Sequence, residues 1–139
     1  MLVPPLRFYY QNPAGELLEH PAGYAVVRYQ TTKHTTADLR ALLVNLGELL
    51  LRRGWSCYLS DARLMLPLSP DEKQLSRDDW YGGRIERPAV VRVAVVAATN
   101  AISRLGIAEV VQQAGNGISY RSFADETSAH AYLQALLTA

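Results

Sequence analysis

Few residues in this chain are equipped for covalent chemistry, and none stands at a spacing that would make it act. Cys57 is the single thiol. It sits in Trp55-Ser56-Cys57-Tyr58-Leu59-Ser60, whose alternation of large and small residues predicts a short strand. A nucleophilic cysteine needs a histidine folded beside it, so Cys57 reads first as a packing residue. There is no Gly-x-Ser-x-Gly elbow, and the glycines at 15, 23, 115 and 117 match neither a phosphate loop nor a dinucleotide fingerprint. His20 precedes a proline turn, His130 falls in a predicted helix, and neither has ligand spacing to the other or to His34. No catalytic residue, cofactor or metal ligand is assigned, and a non-enzymatic protein is expected.

Binding chemistry is better represented. Asp61-Ala62-Arg63-Leu64-Met65-Leu66-Pro67-Leu68-Ser69 couples a charged pair to an apolar patch, after a predicted strand and before a helix. In an open α/β sheet that is the edge where ligands and partners bind. Asp61, Arg63, Leu64, Met65 and Ser69 are the candidate interaction residues; the competing reading has Asp61 capping a turn, Arg63 pairing with it and the apolar residues filling the core. Met65 with Trp80 and Tyr81 would line an apolar pocket for a small ligand or lipid, although packing is the commoner fate of tryptophan. Arg7-Phe8-Tyr9-Tyr10 only faintly resembles a base-stacking platform. A formal net charge of +1 supplies no field for a polyanion, so no nucleic-acid partner is expected.

The elements that must position these residues follow from pattern. At 139 residues, 49% hydrophobic and 19% charged, the chain reads as one domain spanning 1–139, large enough to be stable without disulfides. Leu6 to Tyr10 and Glu16 to Glu19 flank an Asn12-Pro13-Ala14-Gly15 turn and predict a hairpin; Tyr24 to Tyr29 predicts an inner strand. Leucines at 39, 42, 43, 46, 49 and 50 form one helical stripe from about Ala37 to Arg53, opened by Thr35 with Asp38 and closed by Gly54. Ser69-Pro70-Asp71-Glu72 opens a second helix running through Trp80 and Tyr81 to Gly82-Gly83. Ala89 to Ala97 is a β-branched run that predicts a central strand covered on both faces. A helix from about Asn100 to Ala114, counting Ile102, Leu105 and Val110 among its apolar positions, ends at Gly115-Asn116-Gly117. A strand from Ile118 to Phe123 follows, then a helix from near Asp125 presenting Ala129, Tyr132, Leu133, Leu136 and Leu137 to the core. The fold class is α/β: a mixed, mostly parallel sheet with an N-terminal antiparallel hairpin and about four helices. The aromatic hairpin leaves an unpaired edge that a homodimer would cover. Residues Met1 to Pro5 carry no basic leader and no apolar run reaches the roughly 20 residues of a membrane span, so a cytoplasmic protein is expected.

Read in order, several short motifs resemble the SpoIIAA-like group of the STAS superfamily, the anti-sigma-factor antagonist fold, and within it uncharacterised stand-alone bacterial members. They are Glu19-His20-Pro21-x-Gly23-Tyr24, Leu39-Arg40-Ala41-Leu42, Arg52-Arg53-Gly54-Trp55, Asp61-x-Arg63-x-Met65-x-Pro67, Arg104-Leu105, and Tyr120-Arg121-x-Phe123 with Glu126. The resemblance implies a STAS/SpoIIAA-like fold and a binding or regulatory module that contacts an unidentified protein partner through the Asp61–Ser69 loop and the helix after it. It also implies the alternative of a carrier for a small or lipidic ligand. Phosphorylated antagonists carry Asp-Ser-Ser/Thr-Gly in that loop. Here Ala62 and Arg63 replace the hydroxyl residues, so a displaced switch would have only Ser60 or Ser69 to use.

Overall fold

The structure, a computed structural model, describes residues 5–112 and 117–138. Six strands lie in one sheet in chain order: β1 (Arg7–Asn12), β2 (Gly15–His20), β3 (Tyr24–Tyr29), β4 (Cys57–Asp61), β5 (Val91–Val96) and β6 (Ile118–Phe123). The β1–β2 and β2–β3 pairs are antiparallel, and β3 to β6 run parallel. The architecture is therefore α/β with a mixed sheet. The predicted hairpin forms one margin, with β1 outermost and interrupted by a bulge between Phe8 and Tyr10. β5 pairs on both sides as its composition requires, but it is second from the opposite margin rather than central. A β-branched run reports coverage of both faces, not distance from an edge.

Because strand order follows chain order through the parallel part, the three crossovers wind in one direction and leave their helices on one face. These are α1 (Thr36–Arg53), α2 (Pro70–Gln74, continued as a π-helical segment Leu75–Tyr81) and α3 (Ala101–Gln112); α4 (Glu126–Thr138) covers the other face. Along β3, Ala25 and Val27 enter the first layer while Tyr24 and Val26 enter the second. That is the period-two alternation of a strand covered twice.

α1 confirms the capping arithmetic: Thr35 and Asp38 form a reciprocal capping box and Gly54 is left-handed, with φ of 68°. The predicted leucine stripe is buried throughout, each side chain contributing roughly 1.5–3 kcal/mol. The Trp55 amide closes the helix by donating to the Leu50 carbonyl, so β4 begins at Cys57, two residues later than the alternation suggests. Cys57 is buried against α4.

The second helix has its Ser69/Glu72 capping box but does not continue as α-helix. Leu75 is separated from Trp80 and Tyr81 by five and six residues, a spacing that ordinary helical winding would divide between faces. The i→i+5 winding, seen in the Gly82 amide bonding to the Arg77 carbonyl, brings all three inward. Two later helices depart from their expected stripes. Ile102 and Leu105 on α3 are each 66% exposed, and Leu137 on α4 is also exposed. The expected stop of α3 at Gly115-Asn116 lies outside the described residues.

Candidate functional site

Parallel pairing places Arg28 at the end of β3 opposite Asp61 at the end of β4. Asp61, read from sequence as the start of a loop, is the last residue of a strand, and it is buried. Arg63 folds back on it as a fork, Nε to Oδ1 at 2.9 Å and Nη2 to Oδ2 at 2.7 Å, while the Arg63 amide donates to Oδ1. Such bidentate pairs restrict orientation as well as adding energy. Glu126, the first residue of α4, joins from the C-terminal part of the chain: it accepts from Arg28 at 2.8 Å and from Arg63 at 3.0 Å. Two arginines and two carboxylates thus close a neutral cluster over the carboxyl ends of β3 and β4. Burial pushes the Asp61 carboxyl up, but the Arg63 hydrogen bonds and the charges of Arg63 and Arg28 bring it below its usual range. Glu126 is also raised by burial and lowered further by Arg28, His130 and Arg63.

The cluster continues beneath α4. Glu126 Oε1 lies 3.2 Å from His130 Nε2, and His130 Nδ1 meets the Tyr24 hydroxyl. An ionised carboxylate only accepts, so His130 Nε2 donates to Glu126, and in the tautomer with its hydrogen there Nδ1 accepts a hydrogen bond from the Tyr24 hydroxyl. Tyr24 is fully buried and stacks on His20, with centroids 4.4 Å apart. His20 Nδ1 accepts the Ala22 amide, and burial followed by the nearby His130 lowers the pKa of its imidazole. The relay thus ends on a side chain packed in the layer between the sheet and α4. Among the described residues, no group of three or more His, Cys, Asp or Glu side chains could hold a metal ion.

The first part of the loop that follows Asp61 is tied down through its backbone carbonyls. The Arg63 carbonyl accepts from both the amide and the hydroxyl of Thr99, and the Met65 carbonyl accepts from Ser103 Oγ at 2.9 Å. These bonds fasten residues 63–65 to the first turn of α3, itself capped by Asn100. Within this fixed backbone the apolar residues divide: Met65 and Leu68 pack against the core, whereas Leu64 is 57% exposed. Ile102 and Leu105, on the helix that anchors the loop, are likewise exposed. Ser69 is exposed and caps the second helix, while Ser60 is buried on β4.

Met65, Trp80 and Tyr81 do come together. They line a cavity of about 60 Å³ between the sheet and the π-helical segment. A water needs at least about 10–15 Å³ of such space, so the cavity admits a few waters and falls well below the roughly 300 Å³ of ordinary ligand pockets. Its floor contains Ser60 and three tyrosines that sequence reasoning passed over, Tyr29, Tyr58 and Tyr120. Trp80 Nε1 donates to the Tyr58 hydroxyl at 3.0 Å.

Arg28, Glu126 and His130 were equally hidden as partners of the loop. The four-residue spacing of Glu126 and His130 on one helix was a usable signal, but nothing local linked either to Asp61. His34, unassigned by spacing, pairs with the buried Glu72 at 2.6 Å. No protein-family model matches this chain, and no curated protein or solved structure matches it. No helix of the described residues is long and apolar enough to cross a membrane.

Proposed function

We propose that this chain is a non-enzymatic binding or regulatory module of the STAS type. It captures a protein partner through the 61–69 loop, the helix that follows it and the adjoining outer face of α3. The observation that carries this reading is the presentation of Leu64, Ile102 and Leu105 to solvent by backbone that is already fixed. Large apolar side chains on a rigid frame bind with a smaller ordering cost than the same side chains on a loose loop. The Arg28, Asp61, Arg63 and Glu126 charges satisfy one another, so the partner's contribution at this surface is mainly apolar. The edge of β1, with Phe8 60% exposed, is a separate surface suited to a homodimer, which light scattering at about 100 μM would detect.

The test is affinity capture from host lysate with the wild type and with Leu64→Glu and Ile102→Glu variants. Both positions are exposed, so each variant should keep its stability to within about 0.5 kcal/mol. A stoichiometric protein retained by the wild type and lost from both variants is expected. Identical capture by the folded variants would refute the assignment of this surface.

A further inference from the structure

The two margins of the sheet differ. β1 carries the bulge between Phe8 and Tyr10, which bends that edge. β6 is regular: its six residues contain no proline and pair with β5 in unbroken register from Ile118 to Phe123. The Gly117 and Phe123 carbonyls accept from the Val91 and Ala97 amides. Backbone polar groups alternate sides along a strand, so those of Ile118, Tyr120 and Ser122 point away from the sheet. Among the described residues no strand pairs with them. A straight edge of this kind is a template for one more strand.

An added strand would meet a different environment on each face. On the α3 side, a cleft of about 290 Å³, open to solvent, lies between that helix and the ends of β5 and β6. Ile107, Ala108 and Val111 wall it from the helix, and Tyr120 and Ser122 wall it from the edge strand. Its one charged residue is Arg104, whose Nη1 donates to the Ala98 and Thr99 carbonyls. On the α4 side, the Arg121 guanidinium lies over the rings of Phe123 and Tyr132, 5.5 and 5.1 Å from their centroids. Arg92, exposed on β5, stands beside Ser119 of β6. Among the described residues no ion pair joins Arg92, Arg104 or Arg121 to a carboxylate, in contrast to Arg28 and Arg63. The carboxylates closest in the chain are engaged elsewhere: Glu109 with Lys73, Asp125 with the Ser128 amide, and Glu126 with Arg28 and Arg63.

We propose that the β6 edge and the cleft beside it form a docking site for an extended segment of a partner protein in which aliphatic residues alternate with acidic ones. The segment adds to the sheet as a further strand and pairs its backbone with Ile118, Tyr120 and Ser122. Its aliphatic side chains enter the cleft, and its carboxylates on the opposite face meet Arg121, with Arg92 behind it. The alternation of side chains across a strand imposes that division. A second copy of this chain is a poorer occupant, because joining two β6 edges gathers the Arg92, Arg104 and Arg121 of both copies with no carboxylate between them. The site goes beyond the contact surface at the 61–69 loop: Leu64, Ile102 and Leu105 are not among its lining residues. A synthetic peptide tests it on the isolated chain, so its failure would leave the reading of that loop untouched.

The probe is a capped heptapeptide of alternating valine and glutamate, titrated into the low millimolar range and followed by the backbone amide NMR signals of the chain. The amides of Ile118, Tyr120 and Ser122 should shift saturably and exchange more slowly with solvent, whereas those of Ser119 and Arg121, which already face β5, should change less. Ser122→Pro removes an outward-facing donor at a place where an edge strand tolerates proline, and should abolish binding while the protein stays folded. Arg121→Gln should weaken binding about two- to fivefold, as the loss of an exposed ion pair does. A peptide of alternating valine and lysine should bind at least about tenfold more weakly than the glutamate peptide. If Ser122→Pro does not fold, Arg121→Gln and the comparison of the two peptides on the wild type decide. No saturable shift, shifts confined to the β1 edge or the 61–69 loop, or unchanged binding by the folded variants would overturn the site. Equal binding of the lysine peptide would overturn the acidic character of the partner. A dimer in sedimentation equilibrium that Ser122→Pro dissolves would make a second copy the occupant, and would overturn the proposal as well.

Discussion

Replacing Arg63 by alanine separates the structural worth of the charge cluster from its role at the loop surface. The substitution deletes the fork to Asp61 and the 3.0 Å bond to Glu126. Were Asp61 left alone in the interior, the cost would approach the 3–5 kcal/mol typical of a buried charge stripped of its partner. It is not left alone. Arg28 Nε remains 3.6 Å from Asp61, the residue 63 amide still donates to it, and Glu126 keeps Arg28 and His130. The Arg63 side chain is also 42% exposed, which screens its contribution. A loss of about 1–2 kcal/mol is therefore expected at pH 7.5, measured by urea unfolding. The pH dependence follows from the depressed carboxylates. A folded-state pKa below the unfolded value, near 4, contributes stability that is present above that pH and lost as the pH falls through the folded value. Arg63→Ala weakens the depression of Asp61 and Glu126, so the gap between wild type and variant should close on acidification below about pH 4. A loss above 3 kcal/mol would show that Arg28 does not share the load. A gap that persists at pH 3 would show that the effect is not electrostatic.

Two substitutions test positions where local and tertiary reasoning diverge. Gly47 lies inside α1, where alanine would ordinarily stabilise by about 1 kcal/mol; a Cβ there would sit 2.1 Å from the Glu86 carbonyl oxygen. Gly47→Ala should therefore destabilise by at least about 1–3 kcal/mol in thermal or urea melts, and a raised melting temperature would refute the close crossing. Glu72 completes the capping box with Ser69 and also pairs with His34 at 2.6 Å. Glu72→Ala should cost about 1–2 kcal/mol and Glu72→Gln distinctly less, because the amide oxygen can still accept the Ser69 amide; equal losses would assign the whole effect to the charge.

The sequence by itself determined what nearest neighbours along the chain decide. The Thr35 and Asp38 box, the leucine stripe, the Gly54 stop and the Ser69 and Glu72 box are each set within a few residues, and α1 and the start of α2 form accordingly. The hairpin turn and the β-branched run of β5 were legible for the same reason. The Asp61–Arg63 pair was too, being two residues apart. Strand order, by contrast, depends on which strands meet, and period-two patterning is identical for a strand at the middle of a sheet and for one next to its margin. The π-helical turn arises because Trp80 and Tyr81 must reach a core that local winding alone would not present them to. The exposure of Ile102 and Leu105 was likewise undetermined: their helical spacing predicts a shared face, but what lies against that face is a property of the rest of the molecule. Arg28, Asp61 and Glu126 stand far apart in sequence and meet because parallel pairing aligns β3 with β4 and α4 returns across the sheet. Their energies depend on separation in space, which only the tertiary structure sets.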